Sequence, residues 1–307
     1  MAEEDRQRRL QDHRADGGLT TDPTTVPAQD ATDACAPIGV FDSGIGGLSV
    51  LRALRAELPH EDFVYLADSG HAPYGERGDA YVTARSQAIA GFLHARHGIK
   101  ALVVACNTAT AAAIHLLRER LPGLPIVGVE PAIKPAVAAS RTGRVGVIAT
   151  RGTLGSAKFQ QLLRSQEPQA RFTLQPCDGL ALAIERSAHP GSAENATEIR
   201  ALCARYISAM GPFGMQAEAM DTLVLGCTHY VFAQAPLRQL LPAGVALIDT
   251  GAPVARHTRR LLGTALNPQA GDGATLWLST GEAAELRHAA KHLLGLADAP
   301  AAHVAPS

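Results

Sequence analysis

The sequence predicts an α/β fold built as two similar domains, each a mainly parallel sheet flanked by helices. Three observations predict it. Short apolar, β-branched runs alternate with helical patterns, which is how parallel βα units read. The alternation restarts after residue 140. And two thiol segments, "LVVACNTAT" (102–110) and "LVLGCTHY" (223–230), occupy the same place in the two halves: a strand, a small residue, a cysteine, then a helix start.

The elements follow in order. "PIGVFDSG" (37–44) reads as a strand running into a Gly-rich turn. In "GLSVLRALRAELP" the leucines Leu48, Leu51, Leu54 and Leu58 form a helical stripe. "DFVYLAD" (62–68) is a strand, 79–98 a helix, "KALVVACNT" a strand, and "ATAAAIHLLRERLP" a helix ended by Pro122. "PIVGVEP" (125–131) is the next strand. In the second half "RVGVIAT" (144–150), "RFTLQPC" (171–177) and "DTLVLGCTHY" (221–230) are strands. Helices follow in "LGSAKFQQLLRS", "GLALAIERS" and "FAQAPLRQLLP". The strands "GVALIDTG" (244–251) and "ATLWLSTG" (274–281) each precede a helix. Runs this apolar are buried on both faces.

This gives boundaries. Residues 1–36 are polar and read as a disordered extension, because they cannot bury enough apolar surface to offset ordering. Residues 37–131 with 245–296 form the first domain, 132–244 the second, and 297–307 a tail. The stretch 187–220 is long for a connection and predicts an added helix and surface loop.

Composition narrows the function. A formal net charge of -1 gives no reason to expect nucleic acid or a membrane surface as partner. The five cysteines are an odd number without a C-x-x-C pair, so neither a disulfide framework nor a zinc ribbon is indicated. The N-terminus lacks an apolar signal region, and no apolar run reaches the length of a membrane span, so the expected location is the cytoplasm. Only four lysines occur. Lys134 in "PAIKPA" has no Gly-rich phosphate-binding partner, which argues against a pyridoxal enzyme.

Ligands of open α/β sheets bind beyond the carboxyl ends of strands, and four motifs lie there or beside it. "FDSGIGGLS" (41–49) can cradle an anion on backbone N–H groups. It is no dinucleotide fingerprint, since Ser49 stands where a glycine is needed, and it lacks a P-loop lysine. It also fits a tight turn capped by Asp42 or Ser43. In "ACNTAT" (105–110), Cys106 lies where a helix dipole lowers a thiol pKa from about 8.5 towards neutrality. A strand cysteine is ordinarily an inert buried hydrophobe. Asn107, Thr108 and Thr110 supply donors suited to a carboxylate, although Thr108 fits an N-cap as well. In "GCTHY" (226–230), Cys227 and His229 suit a nucleophile with its base, or half a zinc site completed by Asp42 and Cys106. "YLADSGHAPYGER" (65–77) suits an ordered loop over a site, or a plain surface turn. His71 and Arg77 receive no role. Cys35 falls in the extension, and Cys177 and Cys203 read as packing.

Taken together, "FDSGIGGLSV", "YLADSGHAPYG", "ACNTATAAAI", "GVEPAIKPA", "LVLGCTHY" and "IDTGAPVA" resemble, in order, the glutamate racemases of the cofactor-independent aspartate/glutamate racemase family. The resemblance covers about 37–295. It implies an active site in the cleft between the domains, interconversion of L- and D-glutamate, and supply of D-glutamate for peptidoglycan. It implies no cofactor and no metal. Carried over residue by residue, Cys106 and Cys227 are the catalytic thiols, with Asp42 assisting the first and Glu185 and His229 the second. Asp42, Ser43, Tyr74, Gly75, Asn107, Thr108, Thr228 and His229 are the substrate binders. Family members tend to dimerise, so a homodimer is expected. Some with extensions respond to a cell-wall precursor, so a precursor activator is a further expectation.

The chemistry agrees with the count of thiols. Racemisation removes a proton from one face of Cα and delivers one to the other, and a single thiol cannot reach both. A Cys–His hydrolase needs only Cys227 with His229 and tolerates loss of Cys106, whereas a binding module needs neither thiol. A racemase for aspartate or another amino acid remains an alternative substrate reading.

Overall fold

The computed structural model describes residues 34–187, 193–268, 273–296 and 300–307. The expected disorder of 1–33 lies outside these residues.

Among the described residues ten strands form two sheets. They are β1 (Ile38–Asp42), β2 (Phe63–Ala67), β3 (Ala101–Val104), β4 (Ile126–Gly128), β5 (Arg144–Ala149), β6 (Arg171–Pro176), β7 (Thr222–Leu225), β8 (Ala246–Ile248), β9 (Thr275–Ser279) and β10 (Ala301–His303). The first sheet runs β10-β9-β2-β1-β3-β4 and the second β6-β5-β7-β8, and the paired strands are parallel. The order β2-β1-β3-β4 is therefore repeated as β6-β5-β7-β8. The central strands β1, β2, β3 and β7 are buried along their whole length, as runs such as "FVYLA" and "ALVV" require. β6 lies at a sheet edge and is partly exposed.

The helices are α1 (Leu48–Glu57), α2 (Asp79–His97), α3 (Asn107–Arg120), α4 (Ile133–Ala139), α5 (Arg151–Gly155), α6 (Ala157–Arg164), α7 (Leu180–Arg186), α8 (Ala193–Met210), α9 (Gln234–Leu240), α10 (Gly251–Leu262) and α11 (Ala283–Leu294). The predicted leucine stripe of α1 is its buried face. α10 packs along α1, with Gly251 close to Ala53 and the Ser49 carbonyl. The long connection 187–220 holds α8, as expected. One apolar cluster runs without a break from β1 and α1 to β7, α7 and α8, so the two domains share a core on the side that carries the site. Separate clusters fill the opposite faces of the two sheets, and the one on the first sheet includes Tyr74 and Cys106. Among the described residues no helix is long and apolar enough to cross a membrane.

Three boundaries differ from expectation. Thr222–Val224 of β7 pair with Ala246–Ile248, so β8 completes the second sheet and the chain returns to the first domain at 249–250 rather than at 245. The segment read as a C-terminal tail contains β10, which extends the first sheet beside β9; Val304 N–H continues the pairing to the Ser279 carbonyl at 2.8 Å. Small residues hid this strand, since "AAH" carries no apolar run. At the other end the Ala34 carbonyl accepts a hydrogen bond from Lys100, whose ammonium is buried against Glu61 at 2.6 Å. Order thus begins before Pro37.

Candidate active site

The repeated topology places the two thiols equivalently. Phe41 pairs with Val104, two residues before Cys106, and Ile148 pairs with Leu225, two residues before Cys227. The same registers put Thr150 where Ser43 stands in the first domain. Both cysteines are almost fully buried and free.

Cys106 is the N-cap of α3, and its sulfur accepts the Ala109 N–H at 3.4 Å. Ser43 Oγ lies 3.9 Å from the sulfur and donates to Asp42 Oδ1 at 2.9 Å. Asp42 is fully buried and also accepts the Gly44 N–H at 3.0 Å and the Thr228 hydroxyl at 2.8 Å. Burial raises the Asp42 pKa, and His229, Thr228, Ser43 and Gly44 do not offset it. Tyr65, from β2, donates to the Gly44 carbonyl at 2.7 Å and fixes the Gly-rich turn from behind.

The expected lowering of the Cys106 pKa is overturned. Burial raises it first, then the Asp42 carboxylate and Cys227; the Ala109 N–H and the Ser43 hydroxyl pull the other way and lose. The helix start does supply a donor, but desolvation of the thiolate is the larger effect. Because Cys227 contributes to the shift, each thiol lies within the other's electrostatic reach.

Cys227 Sγ lies 3.8 Å from His229 Nδ1, and His229 Nε2 lies 2.7 Å from Glu185 Oε2. Burial works against an imidazolium here, but Cys227 and Glu185 on the two ring nitrogens outweigh it, and the His229 pKa stands well above its ordinary value. Glu185 comes from α7, and its carboxylate accepts the Ile45 N–H at 2.9 Å and the Ser69 hydroxyl at 2.9 Å. Glycines permit this closeness: a Cβ on Gly44 would collide with the Glu185 carboxylate, and one on Gly46 with the His229 ring.

The remaining residues close the cleft from the other side. Thr108 Oγ1 lies 3.2 Å from Thr150 Oγ1 across the domains, so Thr108 is not the cap of α3. Gly75 sits against Thr150, where a Cβ would come within 2.7 Å of its methyl group. Tyr74 is buried and donates to Asp68 at 2.5 Å. Asn107 is 4% exposed, and neither its amide nitrogen nor its oxygen has a hydrogen-bond partner. It lines a small cavity against Thr153 and Ser156 of the second domain. Of the sequence-chosen residues, Asp42, Ser43, Cys106, Glu185, Cys227, Thr228 and His229 thus form one connected polar cluster. Tyr74 and Gly75, in a short 3-10 turn, and Asn107 and Thr108, in the first turn of α3, lie around it. Thr150, Ser69 and Tyr65 are additional members. Thr150 was findable from the repeat, and Ser69 lay within a quoted motif.

The unassigned His71 bonds Tyr81 at 2.7 Å, with Arg77 stacked 5.2 Å from the same ring. Among the described residues, no three His, Cys, Asp or Glu side chains are arranged to hold a metal ion.

Residues 38–258 match the family model described as Asp/Glu/Hydantoin racemase. The glutamate racemase of Stutzerimonas stutzeri (strain A1501) is 50% identical over 250 residues, 81% of this chain and 90% of that protein. Among solved structures, the glutamate racemase of Francisella tularensis subsp. tularensis SCHU S4 in complex with D-glutamate superposes with a TM-score of 0.73. It is 27% identical and covers 89% of this chain and 98% of its own. The Escherichia coli glutamate racemase in complex with L-glutamate and the activator UDP-MurNAc-ala gives a TM-score of 0.70 at 32% identity, covering 82% and 93%. With two thiol loops in repeated domains and a match over most of its length, the chain belongs to the Asp/Glu/Hydantoin racemase family.

Proposed function

We infer that this protein interconverts L- and D-glutamate without a cofactor and supplies D-glutamate for peptidoglycan. The observation that carries the reading is the equivalent placement of Cys106 and Cys227 at the ends of β3 and β7, in one site assembled from both domains. One thiolate takes the α-proton: the Cα–H bond breaks and an S–H bond forms. The opposite thiol gives its proton to the other face of the carbanion, and the roles exchange with direction. The raised Cys106 pKa supports a resting state in which Cys106 is protonated. His229, whose Nδ1 lies 3.8 Å from the Cys227 sulfur while Nε2 is held by Glu185, supports proton exchange with that thiol. Backbone N–H groups at the start of α3, with Ser43 and Asn107, are suited to the developing charge on the substrate carboxylate. The test is solvent exchange: in deuterium oxide, without added cofactor, glutamate acquires deuterium at Cα. A folded protein that leaves Cα–H intact contradicts the reading, and a panel of amino acids reads side-chain choice.

Regulation by an anionic cell-wall precursor is also proposed. It is supported by the activator in the Escherichia coli relative and by a cavity of about 410 Å³ where the chain crosses between domains, lined by His115, Arg118, Lys134, Lys158 and His257. The homodimer expectation rests on family membership, and sedimentation velocity reads it.

A further inference from the structure

We propose that Ser69 is a positioning residue for the Cys227 half of the reaction, supplied across the cleft by the opposite domain. The proposal rests on the reading of Cys227 and His229 as a proton-transfer pair. His229 is oriented by Glu185, and Glu185 is oriented in turn by two donors from the first domain, the Ser69 hydroxyl on Oε1 and the Ile45 N–H on Oε2. A carboxylate with both oxygens engaged presents a fixed lone pair to an imidazole, which fixes the ring's orientation and the nitrogen that carries the proton.

Ser69 is itself held firmly. Its neighbour Asp68 is fully buried and accepts Tyr74 Oη at 2.5 Å, Arg85 Nε at 3.1 Å and Nη2 at 2.8 Å, and the Thr280 hydroxyl at 2.8 Å. The Gly70 N–H donates to Thr280 Oγ1 at 3.2 Å. The turn is thus clamped to β9's end on one side and to α2 on the other. Ser69 therefore meets the Glu185 carboxylate from a fixed position in the first domain.

The hydrogen-bond partners of Cys106, Ser43 Oγ and Ala109 N–H, belong to its own domain. The chain behind Cys227 is completed from the other domain. Both sets of supporting groups are completed across the domains, that behind Cys106 at Asp42 by Thr228 and that behind Cys227 at Glu185 by Ser69 and Ile45.

The test compares Ser69→Ala and Ser69→Thr in the full chain, using both enantiomers of glutamate with hydrogen or deuterium at Cα. The equilibrium constant of a racemisation is fixed at one, so kcat/KM falls equally in both directions, about tenfold for Ser69→Ala, part of what positioned acid–base groups contribute. The distinguishing readout is the primary isotope effect. It rises for one enantiomer only, the same one that Glu185→Gln singles out, and Ser69→Thr restores kcat/KM to within threefold. Unchanged kcat/KM in Ser69→Ala, an isotope effect raised for both enantiomers alike, or failure of threonine to restore activity overturns the proposal. A wild-type protein that does not racemise overturns the function itself, which keeps the two failures apart.

Discussion

Thr228, on the loop that carries Cys227, donates its hydroxyl to Asp42 in the opposite domain at 2.8 Å. Asp42 is in turn linked through Ser43 to the neighbourhood of Cys106. The polar groups around one thiol are thus tied to those around the other, and the closed cleft is held by the site's own side chains.

On the proposed reading, His229 is expected to set the alkaline limit of activity. A histidine whose folded pKa is raised contributes stability that is complete below its unfolded value near 6.5 and is lost as pH rises through the folded value. Activity that needs the imidazolium is lost over the same window. Glu185→Gln removes one of the two groups that raise the pKa, so the alkaline limb of kcat/KM moves towards neutrality. A pH profile of both proteins measures it; an unmoved limb contradicts the relay.

Asp42 has the opposite consequence for stability. Its folded pKa is raised above 3.8 by burial, so it favours folding while protonated, and that contribution is lost as pH rises through the folded pKa. Asp42→Asn removes the loss. The melting temperature of the variant minus that of the wild type grows as pH rises above about 4 and then levels off, while racemisation falls. Thermal scans across this range read the sign; a difference that shrinks with pH contradicts the assignment.

Gly46→Ala tests how closely the loops must approach. The new methyl would collide with the His229 ring and the Thr228 hydroxyl across the cleft. The fold does not otherwise need glycine there, because Gly46 is not among the residues with positive φ. The expected result is loss of about 10²-fold in kcat/KM, the cost of an ångström-scale misplacement, with each domain still folded by circular dichroism.

Asn107→Ala separates binding from stability. Both polar atoms of the Asn107 amide are buried without a partner in the protein, and an unsatisfied buried group costs about 1–3 kcal/mol. Removing it raises the ligand-free melting temperature by a few degrees or leaves it unchanged, and does not lower it. It also raises KM for glutamate about tenfold, as loss of a hydrogen bond to a charged group does. A stability loss with unchanged KM assigns Asn107 to the scaffold.

Much of this was legible in the sequence because the chain repeats itself. The strands β1, β3 and β7 are continuous apolar runs, each ending in polar residues, and that abrupt change marks the site. Cys106 alone reads as packing; Cys227 in an equivalent turn changes its meaning. What stayed hidden depends on geometry between distant segments. Whether Glu185 reaches His229 is set by how α7 packs beside the turn after β7, and no local pattern encodes that. The Cys106 pKa was misread for a related reason: a helix start is visible in sequence, but the depth of burial that overrides it is not. β10 and the sheet membership of β8 were missed because three-residue strands carry too few side chains to show a period.

The most direct test of two thiols serving two faces is racemisation by Cys106→Ala and Cys227→Ala, each followed polarimetrically from either enantiomer. The account predicts that both variants fold and that each loses interconversion in both directions, since every turnover uses both groups. A Cys106→Ala protein that still racemises glutamate at a substantial fraction of the wild-type rate contradicts it.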